Sequence, residues 1–92
     1  MKVHDTMGSL VGIVGDFNPG NPTHRATNEG LAHADLRFEW VPTVEVRPVR
    51  PGERLAAYAG LLIAPESPYR NMDGALAAIR FARERGVPLV GT

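Results

Sequence analysis

Gly60-Leu61-Leu62-Ile63-Ala64, then Asn71 through Gly86, then Val87-Pro88-Leu89-Val90-Gly91-Thr92 is the stretch that decides the fold. The first segment is a short apolar run ended by Pro65, the pattern of a strand covered on both faces. The second opens with a cap residue, Asn71, and places Asp73 in the first turn, where the helix dipole favours negative charge. Within it Met72, Leu76, Ile79 and Ala82, joined by Ala75 and Ala78, form an apolar stripe at helical spacing, with Arg80, Arg83, Glu84 and Arg85 on the far side. Gly86 supplies a left-handed stop, Pro88 prevents continuation, and the apolar run that follows reads as another interior strand. Strand, helix and strand in this order predict a parallel unit with a right-handed crossover.

The alternation extends back toward the N-terminus. Leu10-Val11-Gly12-Ile13-Val14-Gly15 reads as a first buried strand, broken by the loop Asp16-Phe17-Asn18-Pro19-Gly20-Asn21-Pro22. Asn21 as cap and Pro22 at the first helical position predict a helix from Pro22 or Thr23 to about Ala34, with a thin apolar stripe of Ala26, Leu31 and Ala34. Arg37 to Thr43 alternates polar and apolar through Trp40 and predicts a second strand ending at Pro42. Val44 to Glu53, carrying Pro48, Pro51 and Gly52, reads as a connector, and Glu53 to Tyr58 as a turn or two of helix. The expected fold class is α/β, a parallel sheet with helices on both faces, in residues 10–92 behind an N-terminal tail of residues 1–9. The glycines at 8, 12 and 15 lack the G-x-G-x-x-G spacing, so a dinucleotide cofactor is not expected.

Ninety-two residues make one small domain with a marginal core. Ten basic and ten acidic residues cancel, which leaves no long-range field to draw in nucleic acid or an anionic membrane. Cysteine is absent, so these residues hold no disulfide, no thiolate metal site and no thiol nucleophile. His4 and His33 have no neighbours at metal-ligand spacing, and neither a metal nor another cofactor is expected. The start, Met1 to Met7, lacks the apolar region of a secretory signal, and no run approaches the roughly 18 apolar residues of a membrane span. The expectation is a cytoplasmic protein.

Ligands of open α/β sheets bind beyond the carboxyl ends of the strands, and three sites here would share that rim. The first loop holds Asp16, Asn18, His24 and Arg25. His24 and Arg25 at a helix start could bind an anion; the alternative is that Asp16 and Asn18 fix the turn while His24 and Arg25 are solvated. The second, Pro65-Glu66-Ser67-Pro68-Tyr69-Arg70, joins an interior strand to the clearest helix, and its backbone donors could form an oxyanion hole or simply a stiff turn. Ser67 has no evident base in the chain and is not expected to act as a nucleophile. The third site follows Thr92.

These residues resemble a known family. Leu10 to Asp16, Thr23-His24-Arg25-Ala26-Thr27, Glu39-Trp40-Val41-Pro42-Thr43, Leu62-Ile63-Ala64-Pro65, and Ser67-Pro68-Tyr69-Arg70 through Thr92 are similar to the first part of the class I glutamine amidotransferase domain. The similarity is greatest to proteins related to the carboxyl-terminal region of CTP synthase, a group with selenoprotein members. The resemblance implies a flavodoxin-like sheet and a Cys-His-Glu glutaminase that releases ammonia from glutamine through a thioester. It also implies that the nucleophile comes immediately after Thr92, with its His and Glu partners far downstream. Pro65, Glu66, Ser67, Tyr69 and Arg70 would form the oxyanion and glutamine rim. Glu66 stands where the family usually has a glycine, and a carboxylate there would repel the tetrahedral oxyanion.

In selenoprotein members the nucleophile is selenocysteine, encoded by UGA, and a conventional reading of such a gene would stop at Thr92. The chain is therefore expected to be a truncated, inactive part of a glutaminase that supplies ammonia in its parent, for instance to pyrimidine nucleotide synthesis. The alternative is a small non-catalytic α/β binding or dimerisation module, a homo-oligomer in which a second copy covers the exposed sheet.

Overall fold

A computed structural model describes residues 10–64 and 71–90. The elements run β1 (Leu10–Val14), α1 (Pro22–His33), β2 (Arg37–Val41), a 3-10 turn (Thr43–Glu45), α2 (Gly52–Leu55), β3 (Gly60–Ile63), α3 (Met72–Arg85) and β4 (Leu89–Val90). The strands form one sheet in the order β2-β1-β3-β4, and each neighbouring pair is parallel. The predicted parallel α/β class is the observed one.

Strand alternation separates the two faces. Gly12 lies opposite Glu39 and Ile13 opposite Trp40, so these two pairs point to opposite sides. On one side the Tyr58 ring, just after α2, lies so close to Gly12 that a Cβ there would come within 2.8 Å of it, and the Tyr58 hydroxyl donates to Glu39 Oε1 at 2.6 Å. On the other, Trp40 packs against His24 of α1 with ring centroids 4.9 Å apart and donates from Nε1 to Asn28 Oδ1 at 2.7 Å. Chain direction explains the split. The step from β1 to β2 runs one way along the sheet and the steps to β3 and β4 the other, so right-handed crossovers put α1 opposite α2 and α3.

The core lies between the sheet and the α2–α3 layer: Val14, Val41, Leu61 and Ile63 from the strands meet Val46, Leu55, Tyr58, Ala77, Ala78, Phe81 and Ala82. Here α3 departs from its predicted stripe. Met72 and Leu76 are 49% and 53% exposed, whereas Gly74, Ala75, Ala77, Ala78, Phe81 and Ala82 are buried. The cause is close approach: a Cβ on Gly74 would collide with the Thr43 carbonyl oxygen. A helix seated that tightly turns its small residues inward and leaves its long apolar side chains on a flank.

Three other readings change. Ala26 in α1 and Ala34 at its C-terminal cap are exposed, and the buried position of the helix is His24. The Val44–Glu53 connector sends Val46, fully buried, into the core. Among the described residues β4 pairs only with β3, and Val90 is 62% exposed, so β4 is an edge rather than an interior strand. The predicted caps are present: Asn21 accepts from the Thr23 and His24 amides, Asn71 accepts from that of Gly74, and Gly86 takes φ 70°.

Two glycine substitutions test the seating of α3. Gly74→Ala forces the helix off Thr43 and should cost about 1–3 kcal/mol, lowering Tm by about 5–15 °C. Gly30→Ala, where a Cβ meets nothing within 4 Å, should instead raise Tm by a few degrees in the same thermal melts.

Burial first, and the acceptor Glu39 second, push the Tyr58 phenol above its ordinary value of 10.0, against the opposing pull of Arg54. The folded chain thus holds this proton more tightly than the unfolded chain does. The resulting stability is complete below about pH 10 and is lost as pH rises through the higher folded value. Denaturant midpoints should fall more steeply with alkaline pH in the native chain than in Tyr58→Phe.

Candidate functional site

The carboxyl ends of β1, β2 and β3 converge on one rim, as the parallel topology requires. Asp16 follows β1, and its carboxylate crosses to the end of β2. Oδ1 accepts from the Thr43 backbone amide at 3.0 Å and Oδ2 from the Thr43 hydroxyl at 2.8 Å. The same hydroxyl oxygen accepts from the Asn71 backbone amide at 2.9 Å, and Asn71 Oδ1 caps the Gly74 amide at 3.2 Å. One fully buried threonine therefore links the ends of two strands to the start of α3. Nearby, the Gly15 amide donates to Val41 O and the Ala64 amide to Val14 O, each at 3.0 Å, which extends the ladder to the rim.

The α1 side is built differently. His24 is 4% exposed, packed beside Phe17 and Trp40, and its Nδ1 accepts from the Asn18 amide at 3.1 Å. A neutral ring that accepts at Nδ1 carries its proton on Nε2. Here Nε2 is buried with no hydrogen-bond partner among the described residues. Arg25 points elsewhere, donating from Nη1 to the Pro19 carbonyl at 2.8 Å on the exposed surface. His24 and Arg25 thus do not converge. The helix-start donors are also engaged, since the Thr23 and His24 amides serve Asn21 Oδ1 and the Arg25 amide serves Asn21 O.

Pro65, Glu66, Ser67, Tyr69 and Arg70 lie outside the described residues, as do Thr92 and the 1–9 tail. Among the described residues no group of three or more His, Cys, Asp or Glu could hold a metal ion, and no helix is long and apolar enough to cross a membrane.

Thr43 escaped notice as a rim residue because it closed the predicted second strand. Its signal was positional: a hydroxyl directly after strand-ending Pro42, at the carboxyl end of a parallel strand, faces the rim whatever its side-chain partner.

The fold and rim define a parallel α/β domain. Comparison with known proteins narrows this. The chain is 31% identical to the CTP synthase of Staphylococcus saprophyticus subsp. saprophyticus over 98 aligned positions, covering 95% of this chain and 18% of that protein. It is 31% identical to the CTP synthase of Staphylococcus carnosus and 26% identical to that of Dehalococcoides mccartyi, each across 88% of this chain and 16% of the relative. The chain is thus similar in sequence to one part of these CTP synthases, and it spans less than a fifth of the length of these curated relatives. No protein-family model matches the chain. No solved structure matches it either.

With its helix-start donors engaged, the α1 end should not bind phosphate. Millimolar phosphate, compared with chloride at matched ionic strength, should leave Tm unchanged; a phosphate-specific rise would establish an anion site at His24 and Arg25.

Proposed function

We propose that this chain is the N-terminal part of a class I glutamine amidotransferase-like domain. In this reading it supplies the scaffold and rim on which a longer CTP synthase-related polypeptide hydrolyses glutamine and passes on ammonia, for instance to pyrimidine nucleotide synthesis in the cytoplasm. The observation that carries the reading is alignment with proteins named CTP synthase over 95% of the chain. The fold agrees with it, because four parallel strands bring their carboxyl ends to one rim.

On this proposal the nucleophile, a cysteine or a UGA-encoded selenocysteine, stands immediately after Thr92, beyond β4. The Pro65, Glu66 and Ser67 backbone, with Tyr69 and Arg70, forms the oxyanion and glutamine rim. The carboxylate of Glu66 weakens transition-state stabilisation there relative to glycine. Glutamine is the one ligand; neither nucleic acid nor a membrane surface takes part.

Two measurements test this. The purified 92-residue chain, which has no cysteine, should release no ammonia from glutamine in a coupled glutamate-forming assay. Turnover by homogeneous chain would overturn the assignment of the nucleophile. Sequencing the gene past Thr92 should show a cysteine or UGA codon, a Gly-Gly turn and later His and Glu codons in the same frame.

A second reading, a dimerisation module, is favoured by a specific observation: Met72 and Leu76, one turn apart on α3, and Val90 on the β4 edge are all about half exposed or more. Size-exclusion chromatography with light scattering at micromolar concentration separates the two. A monomer removes this reading.

A further inference from the structure

We infer that the turn Arg47-Pro48-Val49-Arg50 is a docking site for an acidic segment of a partner polypeptide, an inference independent of the amidotransferase reading. The turn lies in the connector that follows β2. It is closed by the Arg50 amide, which donates to the Arg47 carbonyl at 3.0 Å, and Pro48 and Pro51 restrict the backbone on either side of Val49. Tertiary contacts then fix it in place. Val46, fully buried, anchors the chain just before the turn, and Arg80 of α3 donates from Nη2 to the Pro48 carbonyl at 2.9 Å. Just after it, Gly52 lies so near Phe81 that a Cβ there would come within 3.1 Å of the ring. At the tip of this anchored turn Val49 is 86% exposed. A segment held in this way has lost its conformational freedom before any partner arrives, which lowers the cost of docking.

Charge decides the kind of partner. Arg47 and Arg50 flank the valine, with side chains 70% and 71% exposed. Both turn to one carboxylate: Glu53 Oε1 is 3.4 Å from Arg47 Nη1, and Glu53 Oε2 is 3.6 Å from Arg50 Nη1. These are long contacts in solvent, and they leave most of the N–H donors of each guanidinium to be used elsewhere. Arg80 brings a third guanidinium to the Pro48 carbonyl, so three cations share this corner with Glu53. Glu45, in the 3-10 turn, is already paired with Arg54 Nε at 2.8 Å. Arginine forks match carboxylates bidentately. An apolar tip between them fits an extended polypeptide, whose side chains supply both charge and apolar surface, better than a phosphate backbone. Because the charges of the whole chain cancel, the attraction is local and sensitive to salt.

The test uses the whole 92-residue chain and, as probe, a short fluorescein-labelled peptide of glutamates interrupted by leucine, followed by fluorescence anisotropy. The native chain should bind in the micromolar range, more weakly as salt is raised, and should ignore the same peptide with glutamine in place of glutamate. Arg47→Gln and Arg50→Gln should each lower affinity by about threefold and together by about tenfold, and Val49→Ser by at least about threefold. Glu53→Gln removes the competing carboxylate and should tighten binding. Arg37→Gln, a charge removed at the amino end of β2, should change affinity little. All five positions are exposed, so the variants should keep the native Tm to within a few degrees.

No binding by the native chain, native affinity in the Arg47→Gln, Arg50→Gln double variant, an equal loss in Arg37→Gln, or weaker binding in Glu53→Gln would each overturn the docking site. Tighter binding of an oligouridylate than of the acidic peptide would overturn its assignment to a polypeptide.

Discussion

The buried hydroxyl of Thr43 is the constraint on which the rest of this structure depends. A buried hydroxyl left without partners costs about 1–3 kcal/mol, so burying Thr43 is tolerable only if donor and acceptor functions are both used. They are, one toward Asp16 at the end of β1 and one from Asn71 at the start of α3. The backbone conforms to this. Pro42 ends β2 by withholding a ladder donor, the 3-10 turn at Thr43–Glu45 redirects the chain, and Val46 enters the core one residue later. Gly74 completes the arrangement, because any side chain there would collide with the Thr43 carbonyl.

Periodicity and punctuation made the order of elements legible. Apolar runs at Leu10–Val14 and Gly60–Ile63, caps at Asn21 and Asn71, and the stop at Gly86 each reflect a local backbone requirement that needs no tertiary information. The orientation of α3 was not legible, because two apolar stripes compete on it. The larger one, through Met72 and Leu76, wins on hydrophobicity; the smaller one, through Gly74, Ala77, Ala78 and Phe81, wins on fit against Thr43. His24 was misjudged for a related reason. A histidine at a helix start looks solvated in sequence, yet here its aromatic neighbours Phe17 and Trp40 and the Asn18 amide make burial favourable. Of the candidate site, Asp16 was legible as a rim residue by its place after β1, whereas its partner at Thr43 depends on pairing between strands far apart in sequence.

The α3 flank and the β4 edge bear on what a domain of this size can do. The core relies on four alanines of α3, which pack closely but contribute little apolar area each. Met72, Leu76 and Val90, which would add more, stay largely in solvent. A core built mainly from small side chains in this way depends on close fit rather than on buried area.

The two sides of the rim differ in what they leave available. On the α1 side the local donors serve one another: Asn21 takes the first-turn amides, Arg25 takes the Pro19 carbonyl, and the Gly20 amide closes on Asn18 Oδ1. Recognition of a polar ligand there would first have to break bonds that the fold already uses. On the α3 side the bonds run between elements instead, from Asp16 through Thr43 to Asn71, and fix relative position rather than closing a local turn. A network of that kind constrains geometry at the carboxyl ends of the central strands, where parallel sheets bind their ligands. The α3 side of this rim is therefore held by bonds between elements, with the β1 and β2 ends acting as its support.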